Sequence, residues 1–205
     1  MLGLHYETPA AWAQVALSDP AALLLDHLFC ERKAAAMALH TQRCFAQRFP
    51  KLKQSMAELA GEEFEHAERC EKFIQELSPE ARALLARPMS GNKYAQGLRA
   101  LWKNTHHDMF MDQLLVSSLI EARSAERFRL LADAAKGTTL GNFYEDLYAS
   151  EVNHYVLFTG LSADFFGPDR TQSRLEEMRA DEARLIQSLP PGARVHSGPG
   201  LAQRR

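Results

Sequence analysis

Four stretches of the chain place apolar residues at alternating steps of three and four, the spacing of a helix that buries a single stripe. The first reads Leu24, Leu28, Glu31, Ala35, Ala38, Gln42, Phe45 and the second Leu52, Met56, Leu59, Glu63, His66, Cys70, Phe73, Leu77. The third reads Phe110, Leu114, Ser117, Glu121, Ser124, Phe128, Leu131, Ala135 and the fourth Leu140, Tyr144, Leu147, Glu151, His154, Phe158. Around the second stripe Glu62, Glu65, Glu68, Arg69 and Glu71 all fall off it, as residues of a solvated face should. The pattern predicts four long helices, each with one buried seam.

Local punctuation sets their ends. Asp19-Pro20 offers a capping carboxylate and a proline at the first helical position, so the first helix is expected from there to about Arg48. Phe49-Pro50 turns into the second, which runs to about Leu77. Ser78-Pro79 starts a short helix that ends before Pro88, Ser90-Gly91-Asn92 reads as a loop, and Lys93 to Lys103 as another short helix. The third long helix runs from about His106 to Ala135 and closes at Lys136-Gly137; Thr138 or Thr139 caps the fourth, which runs to about Thr159. A loop is expected over Gly160 to Asp169, then a polar amphipathic helix over Arg174 to Leu189 docked lightly outside, stopped by Pro190-Pro191-Gly192. The tail, 190–205, is expected to be disordered.

The long helices pair through tight connections, and a crossover of about 28 residues separates the pairs, which predicts an all-α, ferritin-like four-helix bundle with short accessory helices. At 205 residues the chain is expected to be one domain over 1–189, with its bundle core at about 19–160 and an accessory helix at about 172–189.

Charge interrupts each seam at its middle, and in a repeated way. Glu31 precedes Glu63-Phe64-Glu65-His66 by 32 residues, and Glu121 precedes Glu151-Val152-Asn153-His154 by 30. A lone Glu-x-x-His is weak evidence; two of them, each paired with a single Glu one hairpin earlier, match the ligand set of a two-metal carboxylate site. Burying four unpaired carboxylates would cost several kcal/mol each, against a net domain stability of about 5–15 kcal/mol. No Lys or Arg lies on these seams, whereas two divalent cations would neutralise all four glutamates. The candidate metal ligands are therefore Glu31, Glu63, His66, Glu121, Glu151 and His154. Glu126 rivals Glu121 on the third helix, but it lies off the seam and only 25 residues before Glu151. A mixed carboxylate and imidazole set suits iron or manganese better than copper or zinc.

Asp112 and Asp146 are candidates to accept the second ring N–H of the histidines. Ser117 and Ser124 flank Glu121 by one turn each way, either as hydrogen-bonding groups or as small residues that make room. Tyr144, Tyr148 and Tyr155 are read as core residues.

Composition narrows the partners. No stretch approaches 18 uninterrupted apolar residues, so no membrane span is expected, and Met1 to Pro9 has no basic start with an apolar run behind it, so no secretory signal is expected. Cys30, Cys44 and Cys70 form no CxxC and leave an odd thiol, which suits a reducing cytoplasm. The net charge of −2 would become +2 once metal neutralises four buried glutamates. Basic residues cluster as Arg43, Arg48, Lys51 and Lys53, as Lys93, Arg99 and Lys103, and along the C-terminal part of the chain. With no G-x-G-x-x-G loop and no cysteine set for an iron–sulfur cluster, electrons for oxygen chemistry would come from a separate donor protein.

Several segments resemble the tRNA 2-methylthio-N6-isopentenyladenosine hydroxylases. They are Asp26-His27-Leu28-Phe29-Cys30-Glu31-Arg32-Lys33-Ala34-Ala35, Lys93-Tyr94-Ala95-Gln96-Gly97-Leu98-Arg99-Ala100-Leu101, Leu119-Ile120-Glu121-Ala122-Arg123-Ser124-Ala125-Glu126-Arg127-Phe128 and Ser150-Glu151-Val152-Asn153-His154-Tyr155. The similarity extends over roughly Leu17 to Leu161. Ala125 stands where the family pattern has Cys, and it lies off the seam. The resemblance implies a cytoplasmic, non-haem di-iron monooxygenase with two iron ions on the same six ligands. It would use O2 and an external electron donor to hydroxylate the isopentenyl group of a hypermodified adenosine beside the tRNA anticodon. An unpaired loop base can enter a pocket without melting a duplex, Leu28, Phe45, Phe110 or Phe158 would suit its apolar substituent, and the basic clusters would hold phosphates. The alternatives are a ferritin-like ferroxidase or iron-storage protein, a peroxide-scavenging bundle, and a metal-free RNA-binding scaffold.

Overall fold

The computed structural model describes residues 2–102 and 106–200. Helices α1 (Ala11–Leu17), α2 (Pro20–Phe45), α3 (Leu52–Leu77), α4 (Pro79–Ala83), α5 (Lys93–Arg99), α6 (His106–Ala134), α7 (Thr139–Phe166) and α8 (Pro168–Ser188) follow in order, with a 3-10 turn at Leu84–Ala86. No strand occurs among the described residues, and the fold is the expected all-α, ferritin-like one. Contacts divide the chain into two compact units, a smaller one over Asp19–Gly91 with Ala193–Val195 and a larger one over Met1–Ser18, Asn92–Gly192 and the chain from His196 on.

The smaller unit is the α2–α3 hairpin with α4 beside it. Asp19 caps α2 by accepting from the Ala22 N–H at 3.0 Å, with Pro20 in the first turn, and Ser78 does the same for α4 with Ala81 at 3.1 Å. The α2 seam is buried from Leu24 to Ala38, and the α3 seam from Leu52 to Cys70. Past Cys70 the burial moves to Ile74 while Leu77 is exposed, because a straight helix of 3.6 residues per turn drifts off a 3.5-residue stripe. The Val195 N–H donates to Asp26 Oδ2 at 3.0 Å.

The larger unit is built on the α6–α7 hairpin, with α1, α5 and α8 packed around it. Gly137, at φ +83°, ends α6, and Thr138 caps α7 through Gly141. A Cβ on Gly141 would lie 2.3 Å from the Ala135 carbonyl oxygen, so only glycine fits this turn.

The structure departs from three expectations. The loop expected at Gly160 does not form: α7 continues to Phe166, and the break falls at Gly167, at φ +91°, followed by Pro168. A single glycine costs a helix only about 1 kcal/mol, whereas a positive φ followed by proline ends it. Nor does α8 dock lightly. Leu175, Met178 and Ile186 are fully buried, each contributing about 1.5–3 kcal/mol, in a cluster with Tyr94, Leu98, Met111, Leu115 and Leu119. Finally, the tail is ordered over 190–200, where Val195, His196 and Ser197 are buried. Beyond that, 201–205 lies outside the described residues.

Helix α1, which the seam pattern did not reveal, is held by Trp12. Its indole donates to Ser197 Oγ at 2.9 Å, and its ring lies 3.9 Å from the Arg127 guanidinium. Fully buried Arg123 donates to both Glu182 oxygens at 2.8 Å, to the Tyr6 carbonyl at 3.0 Å and to Thr8 Oγ1 at 3.2 Å, and it also pairs with Glu126. Burial opposes the Arg123 charge, but these acceptors raise its pKa above the usual guanidinium value.

Candidate metal centre

In the smaller unit α2 supplies Glu31, while α3 supplies Glu63 and His66 one turn apart. All three are buried, at 4%, 1% and 7% exposure, and one ligand atom from each lies within 4.8 Å of the others. His66 Nδ1 is 3.7 Å from Glu31 Oε2 and 3.9 Å from Glu63 Oε2. Burial raises the pKa of the Glu31 carboxyl, yet a hydrogen bond with Glu63, together with His27 and His66, holds it well below the usual carboxylate range. His27 Nε2 lies 2.5 Å from Glu31 Oε1. This fully buried histidine lies one turn before Glu31, and its i, i+4 spacing on α2 is the only sequence signal of that contact.

The larger unit repeats the arrangement. Here α6 supplies Glu121, and α7 supplies Glu151 and His154. Their exposures are 6%, 2% and 2%, and again one ligand atom from each falls within 4.8 Å of the others. Glu151 Oε1 is 3.9 Å from His154 Nδ1, and Ser150 Oγ is 3.4 Å from His154 Nε2.

The donor chemistry of both triads fits a hard or borderline cation, oxygen-rich with one imidazole each. The two buried arginines of α6 do not serve these glutamates with the donors described above: Arg123 is spent on Glu182, Glu126 and the N-terminal segment, and Arg127 on Trp12 and the Ser197 carbonyl. Burial pushes the Cys70 thiol pKa well up. Cys30, Cys44 and Cys70 are all free.

The rival to Glu121 is placed elsewhere. Glu126 accepts from the Thr8 N–H and hydroxyl, both at 2.7 Å, and so anchors the N-terminal segment. Of the two aspartates proposed to accept from the histidines, Asp112 is engaged by Arg174 at 2.9 and 3.0 Å and Asp146 is exposed. Ser117 is half-buried, whereas Ser124 is buried against His196. Tyr144 packs between Phe128 and Phe143, Tyr148 lies under Arg129, and the Tyr155 hydroxyl accepts from Arg179.

Among the basic residues, Arg43, Arg48, Lys51 and Lys53 are exposed around the α2–α3 turn. An open groove of about 650 Å³ there is lined by Pro50, Lys51, Lys53, Gln54, Ser55 and Glu58. Lys93 and Arg99 are exposed on α5, Arg99 lying 4.9 Å over the Trp102 ring; Lys103 is outside the described residues. Arg174 and Arg179 of α8 are used internally, on Asp112 and Tyr155.

The family model described as tRNA-(MS2IO6A)-hydroxylase (MiaE) matches residues 2–197. The chain belongs to the MiaE family. It is 37% identical to the tRNA 2-(methylsulfanyl)-N(6)-isopentenyladenosine(37) hydroxylase of Pseudomonas putida, over 93% of this chain and 90% of that one. To the protein of the same name from Salmonella typhimurium it is 30% identical, over 95% of this chain and 87% of the other. Among solved structures it is similar to a Synechococcus protein described as having aldehyde deformylating oxygenase activity, with a TM-score of 0.83, 31% identity and 98% coverage of both chains. Within this MiaE-family chain one of the segments that carry the resemblance is architectural. In Tyr94-Ala95-Gln96-Gly97-Leu98-Arg99, the Tyr94 hydroxyl donates to Glu182 at 2.8 Å, and a Cβ on Gly97 would lie 2.6 Å from Leu185, so the segment docks α5 on α8. No helix among the described residues is long and apolar enough to cross a membrane.

Proposed function

We propose that this protein hydroxylates the isopentenyl side chain of 2-methylthio-N6-isopentenyladenosine in tRNA, next to the anticodon, at a non-haem di-iron centre. Glu31, Glu63, His66, Glu121, Glu151 and His154 hold the two irons. The observation that carries the reading is the pair of matched buried triads, each of two glutamates and one histidine, in a chain of the MiaE family. When bound, the irons supply the electrons and the oxygen chemistry for which a carboxylate and imidazole shell has no redox group of its own. The protein's own residues hold, shield and orient. Glu31, kept ionised, is a ready anionic ligand, and His27 fixes one of its oxygens. The near-complete burial of both triads keeps bulk water from the reaction.

Each turnover inserts one oxygen atom of O2 into a C–H bond of the substrate and releases the other as water; the C–H bond gives two of the four electrons that O2 takes, and the other two enter from outside together with two protons. A separate electron-donor protein delivers them. Exposed Arg43, Arg48, Lys51, Lys53, Lys93 and Arg99, with Lys103, hold the phosphates of the anticodon arm. The enzyme works in the cytoplasm, where its three free cysteines stay reduced.

The test is nucleoside mass spectrometry after incubation of iron-loaded protein with tRNA bearing the methylthio-isopentenyl adenosine, O2 and a chemical reductant. A gain of one oxygen on that nucleoside, absent with Glu63→Ala, is the expected result. Iron bound and O2 consumed without that gain would favour a ferroxidase or peroxide-scavenging role instead.

A further inference from the structure

The chain after α8 returns to α6 and buries His196 there, at 6% exposure. Its ring stacks on Tyr94 with centroids 4.7 Å apart and planes 6° from parallel. Nδ1 lies 3.4 Å from Asn92 Nδ2, and Nε2 lies 3.2 Å from Ser124 Oγ. The tautomer follows from the cap of α5. Asn92 Oδ1 is committed to the N–H groups of Tyr94 and Ala95, at 3.0 and 3.2 Å, so its amide nitrogen is the atom turned to His196. An amide NH2 only donates, so Nδ1 accepts and the ring proton sits on Nε2. His196 therefore donates to Ser124, and the Ser124 hydroxyl cannot donate back. Ser124 lies one turn beyond Glu121 on the same buried face of α6, and its hydroxyl has no other partner among the described residues.

We propose that His196 is a positioning residue of the metal centre: it occupies the Ser124 oxygen as an acceptor and leaves the Ser124 O–H as a fixed hydrogen-bond donor beside Glu121. The group that receives this bond is an oxygen atom of O2, water or product on the Glu121 side. Ser124 touches the reacting atoms, and His196 acts through it. The inference rests on the hydroxylase reading above for the identity of that oxygen, but the tautomer does not depend on it.

Two measurements test the proposal. In 15N-labelled, metal-free, full-length protein, the His196 ring nitrogens should report a neutral imidazole protonated at Nε2 at pH 7. A proton on Nδ1, or on both nitrogens, would overturn the arrangement. The second uses two variants, H196F, which keeps the ring on Tyr94 but loses the N–H, and H196Q, whose side-chain amide places an N–H near the position of Nε2. Hydroxylation kcat should fall roughly 10- to 100-fold in H196F with the KM for tRNA unchanged, the range typical for removing a group that orients a metal site, and H196Q should recover most of it. Both variants should bind iron at parental stoichiometry. Parental kcat in H196F, or equal losses in H196F and H196Q, would reduce His196 to a packing residue. If the parent protein forms no hydroxylated nucleoside, the hydroxylase reading fails first and the positioning role falls with it, whatever the tautomer.

Discussion

Replacing Arg123 with methionine separates architecture from chemistry in the α6 segment that also carries Glu121. The guanidinium makes two 2.8 Å bonds to Glu182, which has no solvent exposure, and Glu182 also receives the Tyr94 hydroxyl at 2.8 Å. Methionine fills a similar volume but leaves the Glu182 carboxylate buried without its cation. Breaking a buried pair from one side costs about 3–5 kcal/mol. For a chain of this length, about 2–4 °C per kcal/mol gives a fall in Tm of roughly 6–20 °C. Adding Glu182→Leu removes the stranded charge, so R123M/E182L should be more stable than R123M alone, but short of the parent by at least about 1–3 kcal/mol, since the buried Tyr94 hydroxyl loses its acceptor and the Tyr6 carbonyl, Thr8 and Glu126 lose the guanidinium. The assay is thermal and urea unfolding followed by circular dichroism on the parent, both single variants and the pair. The reasoning is refuted if R123M loses less than about 1 kcal/mol or if the pair is no more stable than R123M. Folded R123M/E182L should still take up iron at parental stoichiometry, since neither side chain is a candidate ligand.

The remaining predictions concern charge. Burial raises the Asp26 pKa despite the Val195 N–H, so the folded state favours the protonated carboxyl and its ionised form costs stability above the folded pKa; that cost fades as pH falls through the folded pKa toward the ordinary value of 3.8. Asp26→Asn keeps an acceptor for Val195 and should raise Tm at pH 7, with an advantage over the parent that shrinks in acid; a constant difference across pH would contradict this. Glu63→Leu should be at least as stable as the parent without metal and should lose the stabilisation by added Fe(II), which for the parent reaches about 2.7 kcal/mol at a hundredfold excess over Kd. A melting curve for E63L that shifts with Fe(II) as the parent's does would remove Glu63 from the ligands. Reversing Lys51 and Lys53 to Glu should weaken tRNA binding and flatten its dependence on salt, measured by filter binding across a salt series. An unchanged slope would move the phosphate contacts off the α2–α3 turn.

The seams and the burial of the candidate ligands were legible because both are periodic and local. Glu31, Glu63, His66, Glu121, Glu151 and His154 all lie at buried seam positions, and the caps at Asp19, Ser78 and Thr138 lie where their side chains announced them. What escaped depends on partners distant in sequence. Helix α8 looks polar because Arg179 and Glu182 are charged, yet both are buried, and Glu182 lies opposite Arg123, 59 residues away. Helix α1 is short, and the Trp12 side chain that holds it finds its acceptor 185 residues later. Nothing local marks His196 as buried; its environment is assembled from Asn92, Tyr94 and Ser124. The misplaced α7 terminus has a different cause, since a glycine and a Gly-Pro pair seven residues apart both punctuate, and only the second has the positive φ.

The bond from Trp12 to Ser197 also bears on synthesis. The larger unit draws its parts from the beginning, middle and end of the chain. A ribosome delivers Ser197 185 residues after Trp12, so α1 emerges long before its anchor exists. The α2–α3 hairpin, by contrast, is contiguous and can form as soon as it clears the exit tunnel. Three of the six candidate ligands, Glu31, Glu63 and His66, are then on the nascent chain while Glu121, Glu151 and His154 await translation of α6 and α7. A cation met at that stage would find only a three-residue candidate site, and the other three candidates follow once α7 has been made through His154.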